Sequence, residues 1–291
     1  MPTGVAQNPK AGIFWMLLTM LLFVSMDACA KYLTQSIHVV EIVWGRYFFH
    51  LLILALLLAP RLRSLMVTSH IRLQLMRSLL LLMTTACFFT GLGYIPMADA
   101  SSIMLTSPIV VTALSMPILK EKVGPRRWIS IIIGFIGALI IIRPGTGMVH
   151  PAVLFPISAA ILYGIFQIST RFLSQSESVL TNLLYSALIG TVVTTLALPF
   201  FWQMPSVIEW LLMIGMGLLG GVGHFALIKS LTIAPPATVA PFTYTNLIWA
   251  TMFGFAVFGD LPDRWTVVGA IIIVSSGLYI YHREHIKAQG T

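Results

Sequence analysis

Long apolar runs, separated by short segments rich in Pro, Gly and charged residues, occupy almost the whole 291-residue chain. About 20 apolar residues in a helix cross a hydrocarbon core of ~30 Å. Ten runs reach or approach that length, and these predicted spans 1 to 10 cover residues 11–33, 39–59, 73–94, 97–119, 126–143, 152–173, 178–201, 207–230, 236–258 and 264–281. No run alternates apolar and polar residues as a membrane β-barrel requires. Because lipid accepts only segments that satisfy their own backbone, the pattern predicts an all-α integral membrane protein.

Spans at corresponding places in the two halves of the chain are similar. The matching segments are Lys31-Tyr32-Leu33 with Arg171-Phe172-Leu173, which close spans 1 and 6, and Arg127-Trp128 with Arg264-Trp265, which open spans 5 and 10. This similarity predicts two five-span repeats, residues 11–143 and 152–281. Because five is odd, the second repeat enters the membrane from the opposite face. The repeats are therefore expected to be inverted, with a shared site near the membrane midplane.

Composition places most side chains in lipid rather than in water. The chain is 58% hydrophobic and only 9% charged, whereas a soluble domain carries about 25% charged residues. The net charge of +8 lies in short loops rather than on one basic face, which argues against a nucleic-acid partner. Thirteen of the seventeen Lys and Arg residues fall on the side of the N-terminus, three fall on the other side, and Arg46 lies inside a span. The positive-inside rule therefore predicts that both termini are cytoplasmic.

Several short motifs resemble those of the EamA family within the drug/metabolite transporter superfamily. They are Trp44-Gly45-Arg46, Ser107-Pro108, Leu119-Lys120-Glu121-Lys122 and the Gly134 and Gly137 pair of span 5. The second half departs from the family pattern, because Phe258-Gly259-Asp260 stands where Glu is usual and no Pro matches Pro108. Length and layout are similar to those of YddG-type amino-acid exporters. The resemblance implies a basket of ten helices around a central cavity, lined mainly by spans 1, 3, 4, 6, 8 and 9.

The resemblance also implies a function. It implies a secondary transporter of the bacterial inner membrane, not an enzyme, that exports small amphipathic metabolites, above all amino acids, by alternating access. A drug or nucleotide-sugar carrier on the same fold is the main alternative, and a membrane-embedded enzyme or a channel is a more distant one. No cofactor or metal is expected. The glycine string at residues 215–220 lies inside an apolar span, not between a strand and a helix as a dinucleotide site requires.

Ionisable side chains inside the spans are the first candidates for function, since a charge at a helix centre costs roughly 2.5–3.5 kcal/mol. Asp27 accepts a coupling proton, contacts a substrate ammonium, pairs with Lys31 at i+4, or is exposed in an outer vestibule. Arg46 pairs with Glu41 or Asp27, or it binds a substrate carboxylate. Glu41 and Asp99 are weaker candidates.

Polar and aromatic residues near mid-span are predicted to line the cavity. The largest group, four residues, lies in the middle of span 9, and Ser107 is their inverted counterpart on span 4. The predicted substrate-binding residues are Thr84, Phe88, Ser107, Tyr163, Gln167, His224, Thr243, Tyr244, Asn246 and Trp249. Hydrogen bonding between helices is the alternative role for the hydroxyl and amide groups. For His224 the alternative is packing against span 9.

Overall fold

The computed structural model describes residues 8–107, 109–111, 114, 125–142, 150–173, 176–234 and 239–289. The main helices are α1 (Pro9–Leu33), α2 (Val39–Leu57), α3 (Ile71–Leu92), α4 (Met97–Met104), α5 (Pro125–Ile142), α6 (Leu154–Leu173), α7 (Val179–Ala197), α8 (Val207–Ile233), α9 (Thr245–Phe258) and α10 (Arg264–Gln289). No strand occurs in these ranges, so the all-α fold class is confirmed there. Pro108, the segment 119–122 and Arg143 lie outside the described residues.

Six segments are long and apolar enough to cross a membrane. They are Lys10–Leu33, Val39–Leu57, Ile71–Leu92, Pro151–Thr170, Val179–Phe200 and Val207–Ser230. Shorter apolar helices cover Met97–Val111, Ile132–Ile142, Phe242–Phe258 and Arg264–Ser276. The sequence marks several helix starts, because Asn8 caps α1, Ser178 caps α7, and Ser206 forms a reciprocal capping box with Glu209 at α8.

Three predicted spans differ from the observed helices. Span 4 was predicted over residues 97–119, whereas α4 ends at Met104. The predicted span 236–258 contains a 3-10 turn at Ala240–Tyr244, and α9 begins only at Thr245. Pro241 lies in this turn, where it lacks the backbone donor that a continuous helix would use. The last helix does not end at residue 281 but continues to Gln289.

The helices pack in pairs that are repeated across the two halves. The most extensive pairings are α1 with α8, α3 with α6, α2 with α8, α3 with α7, α1 with α9, α4 with α6, α2 with α7, α4 with α9, and α5 with α10. Each helix of the first half has a counterpart five helices later, so that α1 corresponds to α6 and α2 to α7. When every helix is replaced by its counterpart, each of these pairings becomes itself or another of the nine. The main apolar core draws on α1, α2, α3, α4, α8 and α9. The helices α5 and α10 pack chiefly against each other.

The two ends of the bundle are held by different contacts. At the end that we call proximal, the Asn8 backbone N–H donates to the Ile233 carbonyl, at 2.9 Å. At the opposite, distal end, Ser36 beyond α1 hydrogen bonds to Glu209 in the first turn of α8. α1 and α8 therefore run antiparallel along their whole length.

Candidate functional site

Arg46 anchors a buried polar cluster on α2. Its side chain is only 6% exposed, and its Nη1 donates to the Thr85 hydroxyl of α3 at 2.7 Å. The Tyr47 hydroxyl lies 3.1 Å from the same Thr85 oxygen, and the guanidinium carbon lies 4.7 Å from the Tyr47 ring centroid. The Arg46 Nε is buried without a hydrogen-bond partner. A charged group thus sits inside the bundle with part of its donor capacity unused.

Three further ionisable side chains surround Arg46. Asp27 of α1 lies one helical turn beyond Phe23, whose ring packs against His224, and it forms no direct ion pair with Arg46. His50 lies one helical turn beyond Arg46, and its buried Nε2 has no partner. The His224 ring of α8 lies 6.0 Å from the His50 ring, between centroids. We call Asp27, Arg46, His50, Thr85 and His224 the central polar cluster.

The central polar cluster contains three residues that the sequence singled out and two that it did not. Asp27, Arg46 and His224 were predicted, whereas His50 and Thr85 were missed. The missed signal was spacing, because His50 follows Arg46 at i+4 and therefore shares its helix face. His224 makes an aromatic contact with α1 and a hydrogen bond within α8. Its ring meets the Phe23 ring of α1 at 4.9 Å, and its Nδ1 lies 2.9 Å from the Gly220 carbonyl oxygen.

The expected pairing of Asp27 with Lys31 is wrong. Lys31 lies at the distal end of α1, where its long side chain reaches the turn between α9 and α10. Its Nζ lies 2.7 Å from the Asp260 carboxylate and 3.1 Å from the Ile95 carbonyl oxygen. This contact ties the end of α1 to the second half of the chain.

The expected pairing of Arg46 with Glu41 is also wrong. Glu41 accepts a hydrogen bond from the Gln203 backbone N–H at 3.2 Å, beyond α7 at the distal end. Asp99, the other weak candidate, accepts from the Thr266 hydroxyl at 2.8 Å. Both acids therefore hold elements together at positions away from the central polar cluster.

The predicted substrate residues of span 9 do not lie at the middle of a helix. Tyr244 ends the 3-10 turn and Asn246 lies in the first turn of α9. Tyr244 lines a pocket of about 380 Å³ that also contacts Ser102 of α4 and Thr266 of α10. Trp249 packs instead against the apolar core around α1, with its Nε1 buried and unpartnered. Tyr244 therefore lies at the pocket beside α10, whereas Trp249 lies in the apolar core.

The remaining predicted residues are distributed along other helices. Tyr163 of α6 stacks on Phe166, with 5.6 Å between ring centroids. It lies within electrostatic range of Arg46. Thr84 uses its hydroxyl to donate to the Leu80 carbonyl within α3. The others are Phe88, half-buried against the main core, Ser107, which is buried, and Gln167 and Thr243, which are half-buried.

Arg77 is a second buried arginine, which the sequence counted only among the thirteen basic residues on the side of the N-terminus. Arg77 is only 4% exposed and lies inside α3. Its Nε donates to the Thr170 hydroxyl at 2.7 Å, and its Nη1 donates to the Asn182 carbonyl and the Ser186 hydroxyl, each at 3.0 Å. Arg77 therefore joins α3 to α6 and α7 from inside the bundle.

Glu177, in the loop between α6 and α7, forms a polar contact that should make the thermal stability of the protein sensitive to acid. It accepts hydrogen bonds from the Thr68 hydroxyl at 2.6 Å and the Ser69 backbone N–H at 3.0 Å, and the His70 Nδ1 lies 3.6 Å away. The hydrogen bond from Thr68 is the main cause that holds the pKa of Glu177 below its ordinary value of 4.5. A lowered pKa stabilises the fold above the ordinary value, and this contribution is lost as pH falls through the lowered one.

Thermal unfolding of the detergent-solubilised protein between pH 7 and pH 3 tests this expectation. We expect Glu177→Gln to lower the melting temperature at pH 7, and we expect its difference from wild type to shrink as pH falls towards 3 and the wild-type carboxylate takes up its proton. Glu284→Gln, in the last helix, is the matched control for removing one carboxylate. An equal loss at both pH values would contradict the role assigned to the Glu177 charge.

Comparison with known proteins places the chain among membrane transporters. The model of the EamA-like transporter family matches residues 10–143 and 150–281. An S-adenosylmethionine uptake transporter of Rickettsia prowazekii is 29% identical, over 94% of this chain and 93% of the relative. A riboflavin transporter of Vibrio cholerae is 30% identical over 98% of each, and a pseudopaline exporter of Pseudomonas aeruginosa is 26% identical over 91% of this chain and 94% of the relative.

A solved crystal structure has the same fold. It aligns with a TM-score of 0.67 over 94% of this chain and 98% of the solved chain, at 13% sequence identity. The family match covers far more than half of the residues. The chain therefore belongs to the EamA-like transporter family and is a multi-pass membrane transporter.

Proposed function

We propose that this protein is a secondary transporter that carries small amphipathic metabolites across the bacterial inner membrane by alternating access. The central polar cluster is its substrate site. The main support is the burial of Asp27, Arg46 and His50 within helices that are otherwise apolar. Ionisable groups at such positions are costly and usually mark a substrate or ion pathway.

The proposed architecture consists of ten spans in two inverted repeats, residues 11–143 and 152–281, with both termini in the cytoplasm. The family model matches each half separately, which supports the duplication. The helix pairings map onto one another when the halves are exchanged, as two-fold related repeats would require. Rocking of one repeat against the other would expose a shared site to each side in turn.

Amino-acid export is the narrower version of this function. The named relatives carry S-adenosylmethionine, riboflavin and pseudopaline, and they include an uptake carrier and an exporter. These substrates agree with a small amphipathic solute and widen the panel that needs testing.

Proton coupling through Asp27 is a separate part of the proposal. It predicts that an imposed pH gradient accelerates wild-type transport and does not accelerate that of Asp27→Asn.

Counterflow in proteoliposomes tests the function directly. Vesicles preloaded with unlabelled L-tryptophan, S-adenosylmethionine or riboflavin would be diluted into a trace of the same labelled compound. A carrier accumulates label transiently and saturates with concentration, whereas a channel does neither. Saturable counterflow of at least one compound is expected. Its absence for all three, with protein that is folded and inserted, would overturn the proposal.

A further inference from the structure

Asp27 and Arg46 each lie one helical turn from a residue whose ring is next to that of His224, namely Phe23 on α1 and His50 on α2. Neither Asp27 nor Arg46 forms an ion pair with the other or with another described side chain. From this separated pair we infer that the site binds an α-amino-acid head group, with the substrate carboxylate on Arg46 and the substrate ammonium on Asp27. The inference rests on the proposed transport function and adds the chemical group that the substrate carries.

The unused edge of Arg46 has the geometry that a carboxylate needs. Its Nη1 is occupied by Thr85, whereas its Nε is buried and unpartnered. The Nε–Nη2 edge makes no hydrogen bond to a described residue. A guanidinium presents two parallel N–H donors along such an edge, and a carboxylate accepts both at once. A buried donor without a partner costs free energy, which a bound carboxylate would recover.

Asp27 supplies the complementary charge from α1. Its side chain is 8% exposed, and it makes no hydrogen bond or ion pair with a described residue. Lys31, the nearest cation along α1, is occupied by Asp260. An isolated carboxylate in an apolar bundle is costly until a cation approaches it. A substrate that carries adjacent ammonium and carboxylate groups satisfies both side chains together.

Space and a further polar group are present beside this pair. The His50 Nε2, one turn along α2 from Arg46, is buried and also lacks a partner. Gly221 of α8 faces it, and a Cβ built on Gly221 would still lie 3.8 Å from that nitrogen. The Asp27 carboxylate, the Arg46 Nε and the His50 Nε2 thus each lack a hydrogen-bond partner among the described residues, and Gly221 presents no side chain beside His50.

Competition in the counterflow assay tests the head-group inference. The labelled probes are S-adenosylmethionine and L-tryptophan, which carry the head group, and riboflavin, which lacks it. The competitors are L-tryptophan, its methyl ester, tryptamine, which lacks the carboxylate, and indole-3-propionate, which lacks the ammonium. We expect L-tryptophan to compete at least tenfold more strongly than the other three.

Substitutions then assign the two charges. Arg46→Gln is expected to raise the half-saturating concentration of the head-group probes at least tenfold and to abolish the preference for acid over ester. Asp27→Asn is expected to abolish the preference for L-tryptophan over indole-3-propionate. Arg46→Lys keeps the charge but loses the planar edge, so the preference for acid over ester is expected to fall even where the protein folds normally.

Arg77→Lys is the matched control, because Arg77 is equally buried but has its donors occupied by Thr170, Asn182 and Ser186. It is expected to lower thermal stability and to leave the preference for acid over ester unchanged. Equal competition by acid and ester in the wild type, the same loss of preference in Arg77→Lys, or transport of riboflavin alone would each overturn the head-group inference while the transport function stands. Counterflow of none of the probes would overturn both.

Discussion

Arg77→Ala is expected to lower the free energy of unfolding by about 3 kcal/mol, a typical cost for truncating a large buried side chain. The guanidinium lies 4.7 Å from the Phe166 ring centroid, so truncation leaves a cavity beside α6. Thr170, Ser186 and the Asn182 carbonyl also lose hydrogen bonds from a charged donor. Removal of a buried charge offsets part of this loss, because an ion inside the bundle is costly to desolvate. Denaturation of the purified protein in mixed micelles measures the difference.

The adjacent residue gives the control for Arg77→Ala. Ser78 is completely buried, and its hydroxyl has no hydrogen-bond partner. Ser78→Ala removes an unsatisfied polar atom and is expected to be neutral or slightly stabilising. If Arg77→Ala cost no more than Ser78→Ala, the contacts that join α3 to α6 and α7 would contribute nothing to the fold.

Sequence predicts the helices well because lipid leaves the chain little choice. A run of apolar residues in a bilayer must satisfy its own backbone, so the presence of a helix follows from composition alone. The positions at which helices begin and end depend on factors other than hydrophobicity. The 3-10 turn before α9 depends on Pro241, and α10 continues to Gln289 because a helix outside the hydrocarbon core no longer needs apolar residues. Neither boundary is visible in hydrophobicity.

The site is harder to predict because its contacts cross between helices. Asp27 and Arg46 are conspicuous as charges within apolar runs, and the structure brings them near each other. Their neighbours are not predictable in the same way. Lys31 and Asp260 are separated by 229 positions, and this contact prevails over the local i+4 pairing with Asp27. A local spacing rule is worth only about 0.2–0.5 kcal/mol, so a tertiary ion pair readily overrides it.

Gly217→Ala is expected to destabilise the protein by about 3 kcal/mol and to impair transport. Gly217 lies where α8 crosses α2, and it forms a G-x-x-x-G spacing with Gly221, a pattern that favours close helix approach. A Cβ at Gly217 would lie 2.8 Å from the backbone nitrogen of His50, and it would also meet Phe49. Backbone atoms cannot rotate out of the way, so α2 must shift, at the upper end of ordinary overpacking costs. The shift would move His50 and Arg46 with it.

Two other glycines of α8 separate this clash from a general effect of glycine replacement. Gly215 has no heavy atom within 4 Å of a built Cβ, so Gly215→Ala is expected to match or exceed wild-type stability, since alanine favours a helix by up to about 1 kcal/mol. A Cβ at Gly221 would make an ordinary contact with the His50 ring at 3.4 Å. Gly221→Ala should therefore fold normally and still weaken transport, because the methyl group occupies space beside the His50 Nε2. Equal stability of all three variants would show that α8 does not cross α2 at Gly217. Wild-type transport by Gly221→Ala would show that the substrate does not reach this side of the central polar cluster.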